Sequence, residues 1–502
     1  MSVRDPSPAV VKMSADWPMI ESLLGGTTAM RKDPARLPKW PNEDDESYKA
    51  RLSTSTLFPA FPRTIEVLAG KPFSKPLTLG DDVPTRLEEW SNDIDLQGRN
   101  LHSFMASVME EALAFGLSGI LVDFPTASAT PTGAPPRTVA DENAAGVRPY
   151  WIQVHPQNIL GWKSIRNAGK DSLTELRLLE RVLEDMGDFV EAEVEQVRVL
   201  RPRAWELWRE GKEVDSKGKK VWVMVDQGPT SMDRVPFTLV YGKRTGFMTA
   251  TPPLLEMGHM NVKHWQSQSD QDTLMHVARV PVLCVIGVDD DKFKLSIGAA
   301  AAVKLPLGSD MKYVEHSGAA IEAGRLTLKD LEEQMRQAGA ELLVIKPGNT
   351  TQVQTLADNE QGMCTLQRIT VDAEDAANQA MQITAEWVGE ADGGHVTLYK
   401  DFGAATLAEA SAELLFKMNM AGKLSDETLY EEIQRRGIVR PDMDWDEEQE
   451  RIDAQKPALG TMGLPPGAPV PPGSEVDPLT GKPKTAMPDA PPGVPVDNKV
   501  GA

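Results

Sequence analysis

The chain has 502 residues, room for about two to four domains at ~100–200 residues each. Its 41% hydrophobic and 25% charged residues are ordinary for a globular protein. With 74 Asp+Glu against 53 Lys+Arg the formal net charge is −21, which argues against a tight, sequence-independent grip on nucleic-acid phosphates and against a basic face lying on anionic membrane.

Two cysteines, Cys284 and Cys364, are too few for a disulfide framework and point to a reducing, cytosolic compartment. The opening stretch MSVRDPSPAVVKMSADWP has no apolar core of the kind a secretory signal needs. One of the longest apolar runs, VPVLCVIGV at 280–288, is far short of the ~20 residues of a membrane-spanning helix. Its β-branched content predicts a buried strand.

In chain order, residues 1–60 predict short helices near 14–24 and 43–53. Leu101, Phe104, Met105, Val108, Met109, Ala112 and Phe115 recur at helical spacing and predict a helix over 100–117. Gly116 and Gly119 are expected to end it and admit a turn into a strand at Ile120–Phe124. The stretch 125–149 reads as a long surface loop, unusual inside a compact domain. From 150 to 245 the pattern is strand-rich, with strands expected at Trp151–His155, Leu176–Leu183, Val194–Arg201, Ala204–Trp208 and Lys220–Val225, and a turn across 211–220. This predicts an α+β fold with an antiparallel sheet.

After Pro252–Pro253 a long helix is expected over 254–278. Its second half, WQSQSDQDT (265–273), is polar nearly all round, the mark of an exposed helix or one spanning between bodies of protein. A β-rich segment at 279–318 comes next. A second long helix is expected to start at the capping pattern Thr327-x-x-Asp330. Leu328, Leu331, Met335, Ala338, Leu342 and Ile345 give it an apolar seam. Lys346-Pro347-Gly348-Asn349 breaks it. A third, alanine-rich helix is expected over about 359–388, then a strand at 395–402. Two short helices follow, one from Thr406-x-x-Glu409 and one at Ser425–Arg436. Residues 457–502 hold 12 Pro and 7 Gly in 46 positions; such a segment buries too little apolar surface to offset its ordering entropy, so disorder is expected.

No catalytic signature stands out: there is no GxxxxGK[ST], GxGxxG after a strand, GxSxG, HExxH or paired CxxC. Lys346-Pro-Gly-Asn-Thr-Thr351 lacks the leading glycine of a phosphate loop. Asp289-Asp290-Asp291 lacks the alternation of a calcium loop and reads as a solvated turn. His259 and His264 are five apart, off the spacing of a helical zinc pair. The expectation is therefore no cofactor, no metal and no catalysis. The competing reading is a hydrolase with a dispersed site using His155 and Asp123, with Ser118 in FGLSG lacking any identifiable base.

Three longer strings, FPRTIEVLAGKPF (61–73), FGLSGILVDFP (115–125) with RPYWIQVHPQNILGWK (148–163), and TPPLLEMGHMNVKHWQSQSDQDTLMHVARVPVLCVIG (251–287), resemble the portal (head-to-tail connector) proteins of tailed bacteriophages, in a portal-like branch known as a family of unknown function. The resemblance covers about 40–400. It implies a portal fold: an α+β wing (1–250), a stem helix (251–278), a small β-rich clip (279–320), a second stem helix (321–345), a tunnel loop (346–358), a long wing helix and strand (359–404), short crown-like helices (405–456) and the Pro/Gly-rich tail (457–502). It also implies a homo-oligomeric ring, generally of twelve subunits, at one vertex of a virion assembled in the host cytoplasm. That ring would serve as the conduit for DNA packaging and ejection. Its implied partners are double-stranded DNA, held weakly and without sequence preference, terminase, head-completion or adaptor proteins, and capsid or scaffolding protein. In that plan Lys346, Asn349, Thr350, Thr351, Gln352 and Gln354 form the DNA-facing tunnel loop, with hydrogen-bonding groups and one positive charge to touch phosphates lightly. Another ring-forming virion protein, such as an adaptor, is the alternative.

Overall fold

The computed structural model describes residues 2–125, 147–187, 189–214, 220–279, 282–287, 307–314, 319–343, 363–401, 415–435, 439 and 444–455. The chain divides into two units, 1–411 and 412–502.

The first unit is built on α7 (Leu101–Phe115), β2 (Leu117–Asp123) and α10 (Thr365–Val388). Preceding elements, in order, are α1 (Pro8–Met13), α2 (Trp17–Leu24), α3 (Gly26–Lys32), α4 (Asp45–Thr54), α5 (Ala60–Gly70), the short strand β1 (Thr78–Leu79) and α6 (Thr85–Trp90). The helix read from 3.6-residue spacing is present: all seven predicted apolar positions of α7 are buried. Asn100 caps it through its side chain to Ser103 N at 2.8 Å. Gly116 ends it at φ +94°, and a Cβ there would lie 2.6 Å from the Thr251 carbonyl carbon. The second expected breaker, Gly119, is not in the turn. It sits inside β2, where a side chain would run into the Phe237 ring.

β2 is the middle strand of a three-stranded antiparallel sheet in the order β3–β2–β9, with β3 (Tyr150–Val154) and β9 (Phe237–Tyr241). α7 and α10 pack on this sheet. The alanines of α10 do what their small size suggests: Ala373, Ala376, Ala377, Ala380 and Ala385 are all buried. The Trp151 indole donates to Thr384 Oγ1 at 2.9 Å, tying β3 to α10 across 233 positions of sequence.

A second sheet is a five-stranded antiparallel meander. Its strands are β4 (Ile159–Asn167), β5 (Lys170–Asp185), β6 (Glu191–Arg201), β7 (Ala204–Val214) and β8 (Lys220–Pro229). β5, β7 and β8 are longer than the hydrophobic pattern predicts, because their far ends carry exposed and charged residues that periodicity does not register. β4 escaped prediction for the same reason: only its first three residues are buried. A small hairpin, β10 (Lys243–Gly246) and β11 (Thr249–Thr251), leads to the long helices.

α8 (Leu255–Ala278) follows the expected span. A hairpin of β12 (Val282–Ile286) and β13 (Asp310–Val314) comes next, then α9 (Ala319–Ala340), which ends in a 3-10 turn at Glu341–Leu343. α9 begins eight residues before the capping pattern. Thr327 therefore lies inside the helix, its hydroxyl donating to Ala323 O at 3.0 Å rather than capping. The seam is present: Leu328, Leu331, Met335 and Leu342 are buried and Ala338 packs on the core, while Ile345 lies outside the described residues. α10 starts later than expected, at a capping box formed by Cys364 and Gln367. The strand expected at 395–402 shrinks to β14 (Val396–Thr397), which pairs with β1.

In the second unit, α11 (Asp426–Arg435) is capped by Ser425, whose Oγ accepts from Thr428 N at 3.1 Å. It packs on α12 (Trp445–Gln455) through Tyr430 and Trp445, ring centroids 5.2 Å apart. The start of the helix expected from Thr406, through residue 414, lies outside the described residues, with 415–420 helical; residues 126–146 of the surface loop and the segment 457–502 also lie outside them.

Candidate functional site

Two long helices bracketing a β-hairpin form the candidate site. α8 and α9 pack against each other. Gly324 on α9 makes close approach possible, since a Cβ there would overlap the Gln271 amide of α8. That explains a glycine in a helix interior, where it costs about 1 kcal/mol relative to alanine. Gln271 Nε2 donates to Ile321 O at 2.9 Å across the pair.

The polar half of α8, 265–273, is exposed only in part: Trp265, Ser269 and Gln271 are buried while Asp270 and Asp272 are exposed, and Asn261 and His264 just before it are buried as well. Asn261, Gln266 and Ser269 meet partners distant in sequence, whereas the buried Trp265 Nε1 has no hydrogen-bond partner. Asn261 Oδ1 accepts from Phe61 N at 3.0 Å and its Nδ2 donates to Phe58 O at 2.9 Å. Ser55 Oγ donates to Ser269 Oγ at 2.9 Å. Gln266 Nε2 donates to Arg36 O at 3.0 Å. The segment that receives them is held by a buried ion pair, Arg51 to Glu43, with both side chains 4% exposed and a closest approach of 2.8 Å. The Arg51 guanidinium also lies 4.0 Å over the Trp40 ring. Hydrogen bonds from Arg51 hold the Glu43 carboxyl below its usual pKa. Burial pushes the neighbouring Asp270 up, with Arg51 opposing. On the α9 side, burial lowers the pKa of His264 more than Glu332, 3.5 Å away, raises it. The imidazole is thus held toward its neutral form between the two helices and packs on Phe58.

The six residues expected to face DNA, Lys346, Asn349, Thr350, Thr351, Gln352 and Gln354, lie outside the described residues, as do Asp289, Asp290 and Asp291. The described chain fixes only the flanks of that segment, the turn Glu341–Leu343 and the Cys364 cap.

The residues of the competing enzymatic reading are not brought together. Asp123 pairs with Tyr150 at one end of the β2–β3 ladder, and Gly119 pairs with Val154, just before His155, at the other. Asp123 is engaged by Arg198 at 2.6 Å, and Arg198 also reaches Glu180 at 2.8 Å. Burial works against the Arg198 charge, but the two carboxylates outweigh it and raise its pKa. Burial and then the Asp123 charge push Tyr150 up to about 12. Asp123, Tyr150 and Arg198 line a cavity of ≈420 Å³ walled by Trp205, Trp387 and Phe124. Ser118 and His155 do share a neighbour, Glu111, which accepts from Ser118 Oγ and lies 3.5 Å from His155 Nε2. However, His155 Nδ1 accepts from Gln157 N at 3.2 Å, which leaves the proton on Nε2, facing Glu111. In that tautomer no imidazole lone pair faces the serine, and the trio ties α7 to the sheet. Among the described residues there is no group of three or more His, Cys, Asp or Glu placed to hold a metal ion, and no helix is long and apolar enough to cross a membrane.

Residues 253–388 match the family model described as domain of unknown function DUF4055. The matched span opens just before α8 and closes on the last residue of α10, so it takes in the two long helices, the hairpin and the third helix. No curated protein matches the sequence. Among solved structures, the chain is similar to one in the neck of the empty gene transfer agent (GTA) particle computed with C6 symmetry, at 13% identity and a TM-score of 0.40, over 78% of this chain and 93% of that one. It is also similar to a chain in the virion of the native gene transfer agent particle, at 12% identity and a TM-score of 0.38, over 81% and 96%. A third similarity is to the neck of the native particle computed with C12 symmetry, at 12% identity and a TM-score of 0.37, over 82% and 99%.

Proposed function

We propose that this chain is the subunit of a portal-type ring at one vertex of a phage-like virion, a conduit for DNA and a docking platform rather than a catalyst. The observation that carries the reading is the order helix, β-hairpin, helix, intervening segment, buried helix, realised by α8, β12–β13, α9 and α10 and preceded by an α+β body. It matches the stem–clip–stem–loop–helix plan that the sequence resemblance implies. In this assignment α8 and α9 are the stem, β12 and β13 belong to the clip, the segment 346–358 approaches DNA, and α10 backs the wing. The predominance of acidic residues suits a channel through which a polyanion slides, since a wall with few cations holds no phosphate for long. Terminase and head-completion proteins would dock on the ring ends.

Negative-stain microscopy of the purified full-length chain tests the reading. Rings with a central hole, of about twelve subunits, are expected. A chain that remains monomeric at high concentration, alone and in the presence of its assembly partners, refutes it.

A further inference from the structure

His264 lies on α8 about two turns before Gln271, and its side chain is 3% exposed. The imidazole packs on Phe58, with ring centroids 5.2 Å apart. Neither ring nitrogen has a hydrogen-bond partner among the described residues. The carboxylate facing it is Glu332 of α9, whose Oε1 lies 3.5 Å from Nε2, at the outer limit of a hydrogen bond. The Glu332 side chain is 34% exposed, so solvent weakens its pull on the imidazole.

The other charges on the surrounding elements are turned to solvent or already paired. α8 is packed by α2, α4, α5 and α9. Glu21 of α2, Arg63 and Glu66 of α5, and Asp45, Glu46 and Lys49 of α4 are exposed. Arg51 of α4 is held by Glu43, and the Tyr48 hydroxyl donates to Leu37 O. On α9, Lys329 and Asp330 are exposed, and Glu322 pairs with Arg325 and Glu333 with Arg336 on the outer surface. On α8 itself Glu256, Lys263, Asp272 and His276 are exposed, His259 faces Asp16 at 4.0 Å, and Asp270 lies in the field of Arg51. The segment 55–60, which carries Phe58, has no titratable residue.

We infer that protonation of His264 loosens α8 from α9, which makes the pair an acid-sensitive joint within the subunit. An imidazolium there would bring a full charge and two N–H donors into a site that offers one partly solvated carboxylate at the edge of reach. A buried charge is costly unless it is both paired and hydrogen-bonded, whereas in an opened pair the same group is hydrated. Burial indeed outweighs Glu332 and lowers the His264 pKa. The neutral imidazole therefore contributes fully above the ordinary value of 6.5, and that contribution is lost as pH falls below 6.5 through the lowered value. α8 leads into the β12–β13 hairpin and α9 leads out of it, so loosening the pair slackens the base of the hairpin. His395 works with the opposite sign at another place in the fold, so the effect must be read on α8 and α9 rather than on overall melting. The contact lies within one subunit, and its failure would leave the ring reading untouched.

The test is hydrogen exchange on the full-length chain at pH 7.5 and 5.5, with each rate divided by the free-peptide rate at that pH. Protection of α8 around His264 and of α9 around Glu332 is expected to fall several-fold at the lower pH, within a ceiling of about tenfold per pH unit below 6.5. His264→Phe keeps a ring that cannot take up a proton, and should hold the protection constant between the two pH values. His264→Gln, also neutral but able to hydrogen-bond, should do the same and serves if the phenylalanine variant fails to fold. Protection that is flat with pH in the wild-type chain refutes the joint. So does a fall that persists undiminished in whichever neutral variant folds, because another group would then be responsible.

Discussion

Replacing Asn261 by alanine asks whether the polar side of α8 is held by its own subunit. The side chain is fully buried and closes two bonds, accepting from Phe61 N and donating to Phe58 O. Phe61 is itself fully buried. Asn261→Ala would therefore strand the Phe61 main-chain donor, while Phe58 O keeps the bond it accepts from Ala60 N at 2.9 Å. One stranded group costs roughly 1–3 kcal/mol, so a loss of that size is expected. Gln266→Ala is the matched control: it removes one bond, to Arg36 O, from a half-buried site and should cost about 1 kcal/mol or less. Both can be read by urea denaturation at fixed protein concentration, and by hydrogen exchange across the segment containing Phe61. If Asn261→Ala denatures within about 0.5 kcal/mol of wild type, with exchange at Phe61 unchanged, the packing of α8 on the Phe58–Phe61 segment is wrong. An exposed shaft, as the sequence alone suggests, would give that null result.

Gly116→Ala combines a left-handed φ with a Cβ pressed against the Thr251–Pro252 backbone, and should destabilise by more than about 1 kcal/mol in thermal melts. His395 and Asp82 join the loop before α6 to the segment after α10. Hydrogen bonding to Asp82 raises the His395 pKa, and the same bond lowers that of Asp82. The raised histidine contributes fully below its ordinary 6.5 and loses its contribution as pH rises through the raised value. The lowered carboxylate contributes above its ordinary 3.8 and loses it as pH falls through the lowered value. Exchange protection around Val396 should thus peak between those limits, and the peak should vanish in Asp82→Asn. Shortening 346–354 should leave rings intact while impairing DNA packaging or retention; unchanged packaging would refute the tunnel-loop assignment.

Local rules carried the sequence furthest where burial is one-sided and continuous. α7 was legible because seven apolar positions at helical spacing all face one core, and the α9 seam was legible for the same reason. The capping pattern at Thr327 misled because it matched a common tetrapeptide inside a helix whose backbone was already satisfied from Ala319 onward. The true cap of α10 used Cys364, a residue outside the usual capping set. β4 and the outer halves of β5–β8 were underestimated because alternation marks a strand only where one face is buried.

Composition and periodicity determined the α+β class, the long helices and their order, and the absence of a recognisable catalytic motif. Those properties depend on neighbours within a few turns of the same chain. The tertiary structure alone decided that one side of α8, with Asn261 and Ser269, is buried, because its partners lie in Arg36–Phe61, some two hundred residues away. It alone separated Asp123 from His155, because strand register sets which residues of a ladder meet. It alone left Leu183, Phe189 and Val223 exposed on the five-stranded sheet, because a hydrophobic residue looks the same in the sequence whether or not the fold buries it.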